Sequence, residues 1–247
     1  MYRMMKGFVA TAVVALTTAS ANAAPVDLTG WVAEGPGTWN LQAGNNAVLQ
    51  TQNGSPTVFH NNSASSQGSQ LSGTIRVQTT GDDDFIGFVL GYHAGDLGNG
   101  SADYLLVDWK QNTQGGFSCS APAGLAISHV TGPLGNDSGG WCHAPANNVT
   151  ELARATNLGS TGWADNTTYT FDLVFTPTLV QVKVNDALEL SVAGSFPDGG
   201  FGFYNYSQAQ VLYAGIEETA VPAPAGLLLM GPVLGLAGLT LRRRRAA

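Results

Sequence analysis

Asp82-Asp83-Asp84 is the longest run of acidic residues in the chain, and three successive carboxylates have one clear chemistry. They are hard oxygen ligands for a divalent cation, and calcium takes about six to eight such oxygens from carboxylates, carbonyls and water. In extended backbone Asp82 and Asp84 point one way and Asp83 the other. A second acidic loop, Asp96-x-x-Asn99-x-x-x-Asp103, follows one strand later and offers further oxygens. The spacing matches no EF-hand loop. The competing account is gatekeeping, since charge at the start of a strand resists edge-to-edge aggregation.

Other arrangements reach less far. Asn136-Asp137-Ser138-Gly139-Gly140 has the string of a serine-protease nucleophile loop. A triad also needs a histidine base oriented by a buried aspartate, and His60, His93 and His129 stand in no such context. Sugar cleavage needs two carboxylates at a fixed separation. Glu34, Glu151, Glu189, Glu217 and Glu218 supply no such pattern, so the reading is non-catalytic. Sugar binding asks only for aromatic rings beside Asp and Asn, and Trp141, Trp163, Tyr204 and Tyr206 are candidate contacts in what read as loops.

The elements that must position these residues are strands. Leu71, Gly73, Ile75 and Val77 alternate with Ser72, Thr74, Arg76 and Gln78. Phe85 to Tyr92 is nearly all apolar, which predicts a central strand covered on both faces. In 104–111, Leu105, Val107 and Trp109 oppose Leu106, Asp108 and Lys110; Tyr169, Phe171, Leu173 and Phe175 alternate in the same way. Val180, Val182 and Val184 follow a Thr-Pro-Thr turn, and Asn185-Asp186 predicts a two-residue hairpin into Leu188, Leu190 and Val192. Phe201, Phe203, Val211 and Tyr213 belong to closing strands. Residues 24–70 show only short β-like runs at 47–50 and 57–60. The stretch 112–164 is rich in Gly, Asn, Ser and Pro, and Gly124–Val130 is its only clear strand. It therefore reads as a functional loop or insertion. Regular short strands with polar turns predict an all-β, two-sheet antiparallel sandwich.

The chain ends predict export. Arg3 and Lys6, the apolar Phe8–Leu16 and the small residues of Ala21-Asn22-Ala23 form a secretory leader over residues 1–23. At the other end, Val221-Pro222-Ala223-Pro224-Ala225 precedes an apolar run to Leu241 and then Arg242, Arg243, Arg244 and Arg245. As a helix, 225–241 reaches roughly 25 Å, a marginal membrane span. The arginines hold its end in the cytoplasm and leave the body, 24–219, outside. That body has seventeen carboxylates against Arg76, Lys110, Arg154 and Lys183, a net charge of −13. Such a surface repels phosphate backbones, which argues against nucleic acid. In an exported chain Cys119 and Cys142 are expected to pair. By the chain-entropy model, a link over such a loop contributes roughly 3 kcal/mol; two separate thiols are the alternative.

The tail, 220–247, resembles the PEP-CTERM sorting signal of Gram-negative bacteria in its VPxPA form, with Ala223 where the commonest form has Glu. That resemblance implies an exosortase as processing partner, a transient membrane anchor, and a cell-surface or matrix location beside exopolysaccharide or another surface protein. The segment Asp82-Asp83-Asp84-Phe85-Ile86-Gly87-Phe88-Val89-Leu90-Gly91-Tyr92 resembles the C-terminal domain of thrombospondins. So do Val107-Asp108-Trp109-Lys110-Gln111, Gly162-Trp163 with Asp165, and Gly199-Gly200-x-Gly202 with Ser207-Gln208, across roughly 70–217. The resemblance implies a lectin-like jelly-roll sandwich, bound calcium and an adhesive role, or a carbohydrate-binding role as the alternative. The chain departs from that family in having no upstream Asp-rich repeats and in carrying the Cys119–Cys142 insertion, so a mammalian receptor partner does not transfer.

Overall fold

Alternation of the kind seen in Thr168–Phe175 calls for a sheet with one face covered, and two such sheets lie face to face in the protein. The structure, a computed structural model, describes residues 23–135 and 138–221. In chain order the strands are β1 (Ala24–Pro25), β2 (Val32–Glu34), β3 (Trp39–Leu41), β4 (Ala47–Gln50), β5 (Thr57–His60), β6 (Ser69–Val77), β7 (Phe85–Tyr92), β8 (Tyr104–Lys110), β9 (Gln114–Gly116), β10 (Cys119–Ala121), β11 (Gly124–Val130), β12 (Val149–Arg154), β13 (Thr168–Phe175), β14 (Leu179–Val184), β15 (Ala187–Ala193), β16 (Gly200–Tyr206) and β17 (Val211–Ala220). One sheet runs β15-β14-β13-β6-β17-β4-β3, with β1 also on β17. The other runs β12-β11-β8-β7-β16-β5-β2, and β9 pairs with β10 as a separate hairpin. The two-sheet antiparallel sandwich expected from the strand pattern is the observed fold.

Between the sheets, Leu71, Phe171, Leu173 and Phe175 meet Ile86, Phe88, Leu90, Phe201 and Phe203, all buried. Each such side chain contributes roughly 1.5–3 kcal/mol by leaving water. Tyr213 crosses the layer: its ring stacks on Phe203 with centroids 4.3 Å apart, and its hydroxyl donates to the Tyr204 carbonyl at 2.9 Å.

Strand β7 is buried along its whole length, as its composition predicts. Ile86, Phe88 and Leu90 face the inter-sheet core, while Phe85, Val89 and Tyr92 face a second apolar layer outside the seven-stranded sheet. That second layer corrects the reading of 112–164 as a loop with one strand. The stretch carries β9, β10, β11, β12 and a five-residue helix, α1 (Ser138–Cys142). β11 and β12 extend the sheet, and the connections on either side of β11 fold back over it. Ala121, Leu134, Trp141 and Val149 are the apolar side chains that close the layer. A disulfide joins Cys119 on one connection to Cys142 on the other. β12 went unread because it is an edge strand whose Leu152 is exposed. The Asn185-Asp186 hairpin between β14 and β15 is present, with φ of 49° and 66°.

The leader, Pro222, Ala223, Pro224 and Ala225 of the tail motif, the apolar run after them and Arg242–Arg245 lie outside the described residues, as do Asn136 and Asp137. Val221 is described, and its N–H donates to the Gly68 carbonyl at 2.7 Å. Among the described residues no helix is long and apolar enough to cross a membrane.

Candidate functional site

The acidic triplet sits at the start of β7, where the chain enters the sheet beside the end of β8. Antiparallel register puts Phe85 opposite Lys110, so the Lys110 ammonium comes alongside the triplet. Its Nζ donates to Asp84 Oδ1 at 2.8 Å, to the Asp83 carbonyl at 3.2 Å and to Gln114 Oε1 at 2.6 Å. The ammonium also lies 4.4 Å from the Trp141 ring and 5.0 Å from the Phe85 ring. Lys110 is fully buried and Asp84 is 6% exposed. A buried lysine is tolerated only when paired, and this one is an internal cation built into the site.

The backbone of Asp84 is held as closely. Its N–H donates to Gln208 Oε1 at 3.1 Å, and its carbonyl accepts from Trp163 Nε1 at 3.0 Å. Asp82 Oδ2 accepts from Asn53 Nδ2 at 2.5 Å. One carboxylate oxygen from each of Asp82, Asp83 and Asp84 lies within 4.8 Å of the others. Burial, the nearby Asp84 charge and hydrogen bond, and the Asp83 charge together push the Asp82 carboxyl up to about 6.

Beside Asp82 and Asp83 opens a polar groove of about 830 Å³, bordered by Thr80, Gln111, Asn112, Gln114, Trp163 and Asp165. Gln111 Nε2 donates to Asp165 Oδ1 at 3.1 Å across it. The 162–165 segment reaches this position only because residue 162 is glycine, for a Cβ there would stand 1.8 Å from the Gln111 carbonyl oxygen. The four sequence segments with motif character, around Asp84, Lys110, Trp163 and Gln208, thus meet at one place.

The rest of the expected cation set does not join it. Asp96, Asn99 and Asp103 lie past the far end of β7, an eight-residue strand that separates them from the triplet by roughly 26 Å. Asp96 is buried and closes its own turn, accepting from the His93 N–H at 2.8 Å and from Asn99 Nδ2 at 3.0 Å. Asp103 faces His129 Nε2 at 2.5 Å. Asp84 is at the triplet, but its carboxylate is engaged by Lys110. Of the expected cation set, Asp82 and Asp83 therefore remain as the carboxylates on the groove.

The four candidate sugar-contact rings are also placed differently. Trp141, Trp163, Tyr204 and Tyr206 are 8%, 2%, 0% and 2% exposed. Tyr204 and Tyr206 belong to β16, and Trp141, from the folded-back connection that carries α1, packs into the same apolar layer with them. Trp163 packs in the inter-sheet core. None presents a face to solvent.

Sequence reasoning missed a second buried charge cluster on the same sheet face. His143 Nε2 stands 2.8 Å from Asp108 Oδ2, and Nδ1 stands 3.4 Å from Glu151 Oε2, which also meets Arg154 Nη2 at 3.1 Å. Burial works against a charged imidazole, but the charges and hydrogen bonds of Asp108 and Glu151 outweigh it and push His143 up to about 10. The signal was Leu106: it shares a face with Asp108 and Lys110, so that face had to be covered and both charges needed internal partners.

The family profile for the thrombospondin C-terminal region matches residues 35–220. Human thrombospondin-3 is 25% identical over 186 residues, covering 69% of this chain and 19% of that protein. Rat cartilage oligomeric matrix protein is 26% identical over 192 residues, covering 69% of this chain and 24% of that protein. The chain thus matches a quarter or less of these two relatives' length. Among solved structures, a carbohydrate binding module, CBM66 from Bacillus subtilis, superposes with a TM-score of 0.55 at 12% identity, covering 78% of this chain and 96% of that one. The VIP36 exoplasmic/lumenal domain in its Ca2+/Man2-bound form gives 0.50 at 14% identity, covering 79% and 82%. At these identities the likeness to the solved structures is one of fold.

Proposed function

Because the chain belongs to the thrombospondin C-terminal region family, we propose that it is a non-catalytic extracellular adhesion protein whose ligand groove is supported by calcium. The carrying observation is the convergence at the start of β7. Asp82 and Asp83 crowd one wall of an open polar groove, Asp165 and the Gln111 and Gln114 amides face them, and a buried lysine already neutralises Asp84. The donor set suits the ion: hard oxygens only, with room for water in the remaining positions. Asp82 and Asp83 would hold it, joined by groove carbonyl or amide oxygens. Calcium would offset carboxylate repulsion and fix the groove wall. Lys110, Trp163 and Gln208 orient the triplet's backbone whether or not an ion is bound. The leader and tail patterns support export, exosortase processing through Val221–Ala225, and residence at the surface of a Gram-negative cell with exopolysaccharide or a surface protein as partner.

The test is a calcium titration followed by thermal melts. A ligand that binds only the folded state adds about 2.7 kcal/mol at a hundredfold excess over Kd. For a domain near this size, each kcal/mol moves Tm by roughly 2–4 °C, so saturating calcium should raise the midpoint by several degrees and chelation should reverse it. The double change Asp82→Asn with Asp83→Asn should abolish the response. If that variant responds as the wild type does, the ion is bound elsewhere and the groove loses its metal.

A further inference from the structure

Among the described residues, two hairpins are closed by turns with the same central φ angles. Asn185-Asp186, between β14 and β15, and Phe117-Ser118, between β9 and β10, both hold φ of 49° and 66° at their central residues. Positive φ at both positions selects Asn, Asp and Gly, whose small or absent side chains tolerate left-handed backbone. Asn185-Asp186 obeys that rule. Phe117 breaks it, because positive φ at a bulky residue is an outlier.

The interior does not require the ring there. Phe117 is 53% exposed, more than any other large apolar side chain among the described residues. Yet its mount is rigid. Phe117 meets the Trp141 ring edge-on, with centroids 6.1 Å apart. Gly116 lies so close to that indole that a Cβ would stand 2.8 Å from Nε1. Cys119, paired across the hairpin from Gly116, is bonded to Cys142 of α1. An exposed aromatic ring on a braced hairpin is a surface for contact.

The hairpin starts at the groove. Gln114 borders the groove and begins β9, and three residues at ~3.3 Å each place Phe117 about 10 Å beyond that rim. The groove offers hydroxyl, amide and carboxylate groups from Thr80, Asp83, Gln111, Asn112, Gln114 and Asp165, with no cation among its lining residues. That set matches a ligand rich in hydroxyl groups, which both donate and accept. A body at −13 repels a polyanion.

We propose that the groove and the Phe117 ring together form a binding site for a neutral polysaccharide. The ring stacks on the C–H face of one sugar unit, while the groove amides and carboxylates bond hydroxyls of units further along. The two contact points are too far apart for one monosaccharide, so the ligand is a polymer. The inference rests on the reading of the groove as the ligand site and adds the class of ligand and its second contact.

The experiment is affinity electrophoresis of the intact, oxidised protein in gels containing dextran, mannan, levan or laminarin, with alginate as the anionic comparison. At least one neutral polymer should retard the wild type, and alginate should not. Phe117→Ala should bind roughly tenfold more weakly, a change of about 1.4 kcal/mol, and Phe117→Tyr should retain binding. Phe117→Gly is the decisive variant, since it should lose binding while Tm holds or rises as glycine relieves the left-handed backbone. A ring with only a structural role would lose both together. The proposal is overturned if no neutral polymer retards the wild type, if alginate alone does, or if Phe117→Gly binds as the wild type does. Repeating the gels with EDTA separates the two readings. Binding that needs Phe117 and survives chelation upholds the saccharide site without calcium. A calcium-dependent Tm with Phe117 variants at full binding keeps the metal and sinks the saccharide site.

Discussion

Replacing Lys110 by Met tests whether the internal cation organises the triplet. The methionine stem keeps most of the packing beside Phe85 and Trp141 but removes the ammonium that holds Asp84 Oδ1 at 2.8 Å, Gln114 Oε1 at 2.6 Å and the Asp83 carbonyl at 3.2 Å. Asp84 is then an unpaired charge at 6% exposure. Deleting one member of a buried pair costs about 3–5 kcal/mol, which at roughly 2–4 °C per kcal/mol lowers Tm by about 6–20 °C. Adding Asp84→Asn removes the stranded charge and should restore most of that loss, because a buried pair replaced as a unit is often close to neutral. The assay is denaturant and thermal unfolding of wild type, both single variants and the double. A further consequence is specific to the site: freeing Asp84 gives a cation a third carboxylate, so calcium should raise the Tm of Lys110→Met by more than it raises the wild type. A loss below about 1 kcal/mol, or a double variant no better than Lys110→Met, refutes the reasoning.

The other expectations concern the second charge cluster and the tail. His143 has a folded-state value of about 10, above its ordinary 6.5. Its contribution is therefore complete below pH 6.5 and is lost as pH rises towards 10, so Tm of the wild type should fall across that window and His143→Gln should flatten the fall. Equal slopes in the two proteins would show that the imidazole is not held charged between Asp108 and Glu151. Deleting Arg242–Arg245 removes the residues expected to hold the tail in the cytoplasm, and cell fractionation should find the truncated protein in periplasm or medium. Identical fractionation of the truncated and intact chains would count against the sorting signal.

Much of the sandwich was legible because its strands carry period-two alternation, and a strand such as Thr168–Phe175 states which face is inside. The short edge strands β2, β3 and β12 were not, since three to six residues with one exposed edge leave little pattern. The site divides along the same line. The triplet could be read as a place, because like charges in succession are unusual whatever surrounds them. Its chemistry could not, because Lys110 is 26 residues from Asp84 and only the β7–β8 register brings the two to 2.8 Å. The same argument explains the misplaced rings. Tyr204 and Tyr206 stand in mixed sequence, but two disulfide-linked connections fold over the sheet face that would otherwise expose them, and one of these connections buries its own Trp141 against that face. Covering that face does more than bury aromatics. It closes the layer over Lys110 and buries its own His143, so the 112–164 stretch also dehydrates the two cations of that layer. It also carries Phe117, a bulky residue placed in a left-handed hairpin turn and left half exposed. A segment of sequence that reads as an excursion from the fold therefore supplies both the lid that makes the acidic site rigid and, in Phe117, the surface by which the site extends outward.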